Sequence, residues 1–338
     1  MAIKSLSVEN FRSHECLEVS FRTGVTAITG VNGSGKTSLL EAIYLGLVGT
    51  SFRARDKEIL KYGEEFFRAE LGLIGGRVVK IGFSGEKKFF DIDGKKSLRL
   101  PREYRYPVVL FQPSDINIIY SSPSRRREFF DRAIIQLNDS HRLALSRYER
   151  ALRQRNELLK NNPLREDVFS WNILLAKYGV EITGSRDRYV GVMNDELGGV
   201  YTSIVEKKDT VKVVYDGDGE LSESGYLAYL DASWEKDLVV GVTTFGPHRD
   251  GFEFIFNNKV AEDVASRGEA RSVVLAMKFI EADVIEESTG KKPVILLDDV
   301  FSELDEERQA ALMTNFRDYQ IILSSVKTPG RIKAHIKL

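Results

Sequence analysis

The chain holds a single cysteine, Cys16, among its 338 residues. No disulfide can close within it, which fits a reducing compartment. Its four histidines (His14, His141, His248 and His335) are scattered, without the spacing of a zinc site. Net charge is also scarce: 49 Lys and Arg stand against 50 Asp and Glu, leaving −1. A general basic field for nucleic acid is therefore excluded, and any DNA surface has to be a local patch. No apolar run approaches the roughly 20 residues of a membrane span, and MAIKSLSVENF lacks the apolar centre of a signal peptide. The expectation is a cytoplasmic protein with no membrane partner. Internal repeats and low-complexity runs are missing too. What remains is ordinary for a soluble globular protein: 42% hydrophobic and 29% charged residues, on a length that suits one large domain or two smaller ones.

The pattern along the chain changes twice. Up to residue 30 it reads as strands, ending in VTAIT (25–29), and SLLEAIYLGLV (38–48) reads as a helix. From Phe66 to Leu100 the alternation is that of antiparallel strands, with Asp93-Gly94 as a hairpin signal. PVVLF (107–111) is a short buried strand. From Pro123 to about Val205 the pattern is helical. Ala144, Tyr148, Ala151, Leu152 and Leu159 form one stripe, and Trp171, Leu174, Leu175, Tyr178 and Ile182 another. The two stripes predict an antiparallel helical arm. Strands return at GFEFIF (251–256), PVILLDD (293–299) and QIILSSV (320–326), and RIKAHIKL alternates as a closing strand. The fold class expected is α/β, with one domain (1–120 plus 241–338) interrupted by a helical insertion (121–240).

Three segments carry chemistry. GVNGSGKT comprises Gly30, Val31, Asn32, Gly33, Ser34, Gly35, Lys36 and Thr37, and it lies between a strand and a helix. Its glycines let backbone N–H groups wrap phosphate oxygens. Lys36 is expected to bridge terminal phosphates, with Thr37 presenting its hydroxyl to Mg²⁺; Ser38 follows in the same turn. VILLDD ends a buried strand in two acids. Asp298 is read as a holder of the Mg²⁺ shell and Asp299 as the group that orients or deprotonates water. SRGEARS (266–272) opens a helix whose apolar pattern runs on through VVLAMKFIEADVIEE. Ser266 either caps that helix or offers its N-terminus to a phosphate. After the acidic strand, FSELD suggests Ser302 as the cap of a helix from about Glu303.

Together these segments resemble the ABC-type P-loop ATPase heads of the SMC and RecF groups. The match to the RecF family is carried by ENFRSHE (9–15), NGSGKTSLLEAIYL (32–45), SSPSRRREFFDRAI (121–134), FGPHRD (245–250), SRGEAR (266–271) and LLDDVFSELD (296–305). It spans nearly the whole chain, and the GPHRD, SPSRRR and SRGE segments discriminate it from other P-loop ATPases. The resemblance implies an ABC-type head with an antiparallel β subdomain and an inserted arm, lobe II. It implies ATP and Mg²⁺ as cofactors, weak DNA-stimulated hydrolysis, and an ATP-dependent homodimer. In that dimer Ser266 and Gly268 of one copy close over the ATP held by the other. Partners implied are double-stranded DNA and single-strand/double-strand junctions, RecO and RecR, and through them RecA.

The same resemblance suggests Arg12 as a nucleotide-phosphate contact, against the alternative of a surface arginine, and Gln112 as a metal-sensing residue. Ser324 and Ser325 stand where many such heads carry a histidine for the terminal phosphate, so that contact is not expected. Asp299 stands where most have glutamate, and its shorter reach predicts slow turnover. His248 and Arg249 are read as structural, bracing the SRGEARS segment (266–272), which the resemblance makes the signature motif of such heads. DNA contacts are sought among Arg125–Arg127, Arg147, Arg150, Arg153, Arg155 and the pairs Lys87–Lys88, Lys95–Lys96 and Lys207–Lys208. Successive helical residues point about 100° apart, so at least one of Arg125, Arg126 and Arg127 is expected to pair with an acid. Competing readings fit less well. A nuclease-fused ATPase would need more than the forty or so residues after Asp298, an SMC head would need a far longer coiled coil than the roughly 120-residue insertion, and a transporter subunit would usually carry LSGGQ.

Overall fold

The computed structural model describes residues 2–85, 87–205, 207–327, 332 and 334–338. In chain order the first half begins with strands β1 (Ile3–Phe11), β2 (His14–Ser20) and β3 (Val25–Thr29), then helices α1 (Lys36–Val48) and α2 (Asp56–Ile59). Strands β4 (Phe66–Leu73), β5 (Val78–Ser84), β6 (Lys87–Ile92), β7 (Lys95–Ser97) and β8 (Val108–Phe111) follow, with the one-turn α3 (Pro113–Ile116). The helical stretch holds α4 (Pro123–Leu137), α5 (Asp139–Leu159) and α6 (Arg165–Val205). It is succeeded by β9 (Val211–Tyr215), α7 (Glu223–Ala232), α8 (Trp234–Val240), β10 (Phe252–Phe256), β11 (Lys259–Val260) and α9 (Ala261–Val264). The chain closes with α10 (Arg267–Thr289), β12 (Val294–Leu297), α11 (Glu306–Asn315), β13 (Ile321–Ser325) and β14 (His335–Lys337).

Contacts divide the chain into Met1–Ile116 with Glu281–Leu338, and Asn117–Ile280. The first unit holds two sheets. One is antiparallel, ordered β2-β1-β4-β5-β6-β7; the other is parallel, ordered β14-β3-β13-β12-β8. Residues from both sheets and from α1 share one hydrophobic core. That explains the composition of α1: nearly every residue from Ser38 to Val48 is apolar and all are buried, because the helix has protein on every side. Asp93-Gly94 makes the two-residue turn between β6 and β7, with φ of 53° and 81°, the left-handed pair that matches strand twist. Of the closing RIKAHIKL segment, His335–Lys337 form β14 beside β3, whereas Arg331 and Lys333 lie outside the described residues.

The second unit packs α5 and α6 through the stripes read from sequence: Ala144, Tyr148 and Ala151 against Leu175, Ala176, Tyr178 and Ile182. Its sheet is ordered β11-β10-β9. The insertion was expected to end at residue 240, but by contact the unit extends to Ile280. The reason is a non-local pairing: β10 runs antiparallel to β9, from Phe252↔Tyr215 to Phe256↔Val211, so residues 251–256 stay with the helices.

Candidate functional site

The loop Gly30–Gly35 joins β3 to α1, and Gly35 is the N-cap of α1 at φ 94°, with no side chain bonding to the helix end. The first-turn N–H groups of α1 thus lack the side-chain acceptor that most helices recruit. A side chain at Gly35 would be strained in this left-handed backbone, and its Cβ would strike Ser13 Oγ and the His14 ring. Lys36 is buried at 4% exposure, and its Nζ donates to the carbonyls of Gly30 (3.0 Å) and Val31 (3.1 Å). Ser34 Oγ is buried without a hydrogen-bond partner. A buried ammonium held by carbonyls alone, an unpartnered hydroxyl and an uncapped helix start together fit a phosphate.

On the neighbouring strands, β12 lies between β8 and β13, and Asp298 follows its last residue. Thr37 Oγ1 donates to Asp298 Oδ1 at 2.7 Å, across 261 residues of sequence. Ser324 Oγ donates to the same oxygen at 3.0 Å. Burial pushes the Asp298 carboxyl above the usual range, hydrogen bonds from Thr37 and Ser324 pull it down, and the Asp299 charge raises it again; the net direction is upward. A divalent cation at this carboxylate would lower it and compensate the burial. The oxygens of Thr37 and Asp298 are the hard donors that Mg²⁺ takes. Asp299 sits in the left-handed region at φ 53°, and its Oδ1 is buried without a partner. Gln112 follows β8, whose Phe111 is level with Leu297 and accepts the Asp298 N–H at 2.9 Å. Its own N–H is taken by Asp115.

Arg12 occupies the β1–β2 turn at φ 56° and is neither simply exposed nor free. Its Nε and Nη2 donate to the two oxygens of Glu41 at 2.8 Å each, and Nη1 donates to Glu58 O at 2.5 Å. Glu41 is fully buried on α1 and also accepts from Ser51 Oγ at 2.6 Å. In the same turn His14 Nε2 meets Gly35 O at 3.1 Å. The Arg12–His14 turn is therefore fastened to α1 by Glu41 and rests on the Gly30–Gly35 loop. Sequence reasoning missed Glu41. The available signal was a lone carboxylate inside an apolar helix, one turn beyond Thr37.

In the second unit Ser266 heads α10 in a reciprocal cap. Ser266 Oγ and N donate to Glu269 Oε2 at 2.7 and 2.9 Å, and Glu269 N returns a bond to Ser266 Oγ at 3.3 Å. These bonds from Ser266, with Lys207 nearby, hold the Glu269 carboxyl below its usual range. Gly268 lies in the first turn, without a side chain to cover the helix end. The expected cap at Ser302 is corrected. A 3-10 turn covers Phe301–Glu303, and Ser302 Oγ donates to Asp299 O at 2.9 Å. Leu304 then returns to an extended backbone, and Asp305 caps α11 by accepting the Arg308 N–H. His248 is tied to the arm rather than to the signature segment: Nδ1 meets Tyr148 Oη at 2.8 Å and Nε2 meets Thr243 O at 3.0 Å. Burial draws it down to about 4, so it is neutral, donates from Nε2 to the carbonyl and accepts from Tyr148.

The basic candidates separate cleanly. Arg125 is exposed, whereas Arg126 pairs with Glu262 at 3.0 Å, as the spacing required of one of the three, and Arg127 donates to Asp250 O at 2.7 Å. Arg147, Arg150 and Arg153 are exposed on α5. Arg155 is not a surface residue at all. It is fully buried and paired with the equally buried Asp237 at 2.7 Å, because it continues the inward stripe of Ala144, Tyr148 and Ala151 at helical spacing. Lys88 is bound to Asp56 at 2.7 Å, while Lys87, Lys95, Lys96, Lys207 and Lys208 are exposed. Among the described residues no helix is long and apolar enough to cross a membrane.

A family model described as an AAA domain matches residues 5–178. The chain is 33% identical over 350 residues to the DNA replication and repair protein RecF of Clostridium acetobutylicum, covering 100% of this chain and 96% of that protein. It is 34% identical over 345 residues to the protein of the same name from Ruminiclostridium cellulolyticum, covering 96% and 92%. A solved structure of the recombination mediator protein RecF with ATP, in the RecFOR pathway, superposes with a TM-score of 0.87 at 28% identity, over 99% of this chain and 95% of that one. The Smc head domain of Pyrococcus furiosus, 16% identical with a TM-score of 0.52 over 96% and 90% of the two chains, shares the fold.

Proposed function

The chain belongs to the RecF family of DNA replication and repair proteins, and from that premise we propose an ATP-gated DNA-binding protein of recombinational repair and replication restart. The observation that carries the reading is the 2.7 Å contact of Thr37 with Asp298 beside an uncapped helix start, which brings the phosphate loop and the acidic strand into one site. The RecF structure solved with ATP supports the choice of nucleotide. Gly30–Gly35 and the α1 N-terminus would cradle the phosphates, Lys36 would leave its loop carbonyls for the terminal ones, and Ser34 would gain the partner it lacks. Thr37 and Asp298 would hold Mg²⁺, which would withdraw charge from the phosphate oxygens, with Gln112 at the edge of that site. Asp299 would take a proton from the attacking water while the bond from the terminal phosphorus to its bridging oxygen breaks. Its short side chain suits slow turnover, so rapid steady-state hydrolysis would count against that assignment.

Two copies would share each ATP, the phosphate loop of one facing Ser266 and Gly268 of its mate, in an isologous pair. The Glu269 N–H is taken up by Ser266 Oγ and the Ala270 N–H by Ser266 O, so the N–H groups of Arg267 and Gly268 would be the ones to meet a partner's phosphate. DNA, whether duplex or a single-strand/double-strand junction, would be the ligand of the assembled pair, and RecO and RecR its partners in loading RecA, consistent with the pathway named for the solved relative. A cytoplasmic location fits this work. The test is binding to a gapped duplex with ATP-Mg²⁺, with ADP-Mg²⁺ and without nucleotide. Tight binding should require ATP, and log K should fall with log salt by about 0.9 for each phosphate neutralised. Equal affinity in all three conditions would remove the gate, and a flat salt response would remove the phosphate-contacting patch.

A further inference from the structure

Ser324 stands one residue from the end of β13, between β3 and β12 in the parallel sheet. It is fully buried. Leu323 is level with Leu297, so Ser324 is level with Asp298. One hydroxyl there serves both acids. Its hydrogen goes to Asp298 Oδ1 at 3.0 Å, and its oxygen accepts the Asp299 N–H at 2.8 Å. The second bond matters because Asp299 is a non-glycine residue in the left-handed region, at φ 53°, and the Ser324 hydroxyl fixes its N–H in that conformation. The first matters because Thr37 uses the same oxygen of Asp298. Ser324 and Thr37 therefore fix that carboxylate from two directions.

We propose that Ser324 is a positioning residue for the metal-bearing end of the site: it orients Asp298 towards Thr37 and holds the Asp299 backbone in its left-handed conformation. The residue thus acts from behind the acids, which differs from a side chain placed on the terminal phosphate. The proposal rests on the nucleotide reading of this site. Removing the hydroxyl leaves the part-buried Asp299 N–H without this acceptor and leaves Thr37 alone to orient Asp298, while the phosphate loop and Lys36 keep their own contacts. Metal-dependent binding should therefore suffer, and metal-free binding should not.

The experiment is calorimetric titration of ATP into wild type, Ser324→Ala, Ser324→Thr and the neighbouring Ser325→Ala, each in Mg²⁺ and in EDTA, with Lys36→Met as the reference for the site itself. For Ser324→Ala the affinity gained from Mg²⁺ should shrink by about 10–100-fold, the range for losing a group that orients a metal ligand, while affinity in EDTA stays within about twofold. Ser324→Thr, which retains the hydroxyl, should recover much of the Mg²⁺ effect, and Ser325→Ala should match wild type. Comparing two conditions on one variant separates positioning from general instability. Equal losses in Mg²⁺ and EDTA, or none in either, would overturn the proposal. If instead wild type and Lys36→Met bind ATP alike, the nucleotide reading itself fails.

Discussion

Lys36→Met should weaken ATP binding by on the order of 10²–10³-fold while leaving the unliganded protein as stable as before. Both halves follow from the surroundings of this ammonium. It is buried at 4% exposure and donates to the carbonyls of Gly30 and Val31, with no carboxylate among those bonds. Truncating one partner of a buried, hydrogen-bonded charge pair costs about 2–5 kcal/mol of binding, and the pair here is lysine with phosphate. Without nucleotide the lysine is a buried cation held by dipoles alone, which is expensive to desolvate. Methionine fills similar volume without that penalty, so thermal unfolding without nucleotide should show no loss. Retained ATP affinity in the variant would mean that the loop does not hold the phosphates.

The second large effect is on stability. Arg155→Met should destabilise the unit Asn117–Ile280 by about 3–5 kcal/mol, the cost of breaking a buried pair by removing one member. Arg155 joins three elements: Nη1 donates to Asp237 Oδ2 and Thr243 Oγ1 at 2.7 Å each, and Nε donates to Asn172 Oδ1 at 2.7 Å. Both ionic side chains are fully buried, so solvent screens little of the loss. Among the described residues Asp237 would keep its bonds from Thr244 N and Oγ1. For a unit of this size a midpoint fall of roughly 6–20 °C is expected by thermal denaturation. Exposed Arg153→Met, two residues away, should change the midpoint by less than about 2 °C. A shift as small for Arg155→Met would show that the pair contributes nothing net.

How much of this was legible beforehand depended on how local each feature is. Gly30–Thr37 and VILLDD are contiguous, and their meaning lies in spacing within a single strand–loop–helix or strand end. Their strands and α1 emerged where the sequence placed them. The stripes on α5 and α6 were legible for the same reason, and the pattern already contained the answer for Arg155, which falls four residues after Ala151 on the buried face. Calling it a surface arginine gave residue type more weight than periodicity. The Glu41–Arg12 pair spans 29 residues and the Ser324–Asp298 bond spans 26, and no local pattern announces such contacts. Residues 241–280 were assigned to the head because the β9–β10 pairing is likewise non-local, although VKVVY alternates in the manner of a half-buried strand. Ser302 and Asp305 both suit an N-cap by type, and only the extended turn at Leu304 decides between them.

The central claim is that ATP is shared between two copies, the phosphate loop of one under the Ser266–Gly268 turn of the other. Size-exclusion light scattering with and without ATP-Mg²⁺ tests it most directly, on wild type, Lys36→Met and Ser266→Arg. Losing the Ser266 cap costs about 0.5–2 kcal/mol, too little to unfold the protein, and the phosphate loop of each chain is untouched. Wild type should move from monomer to dimer only with ATP. Lys36→Met should stay monomeric for want of nucleotide, and Ser266→Arg should bind ATP yet stay monomeric. A Ser266→Arg protein that binds ATP and dimerises as wild type does would contradict the claim and leave Ser266 as the cap of its own helix.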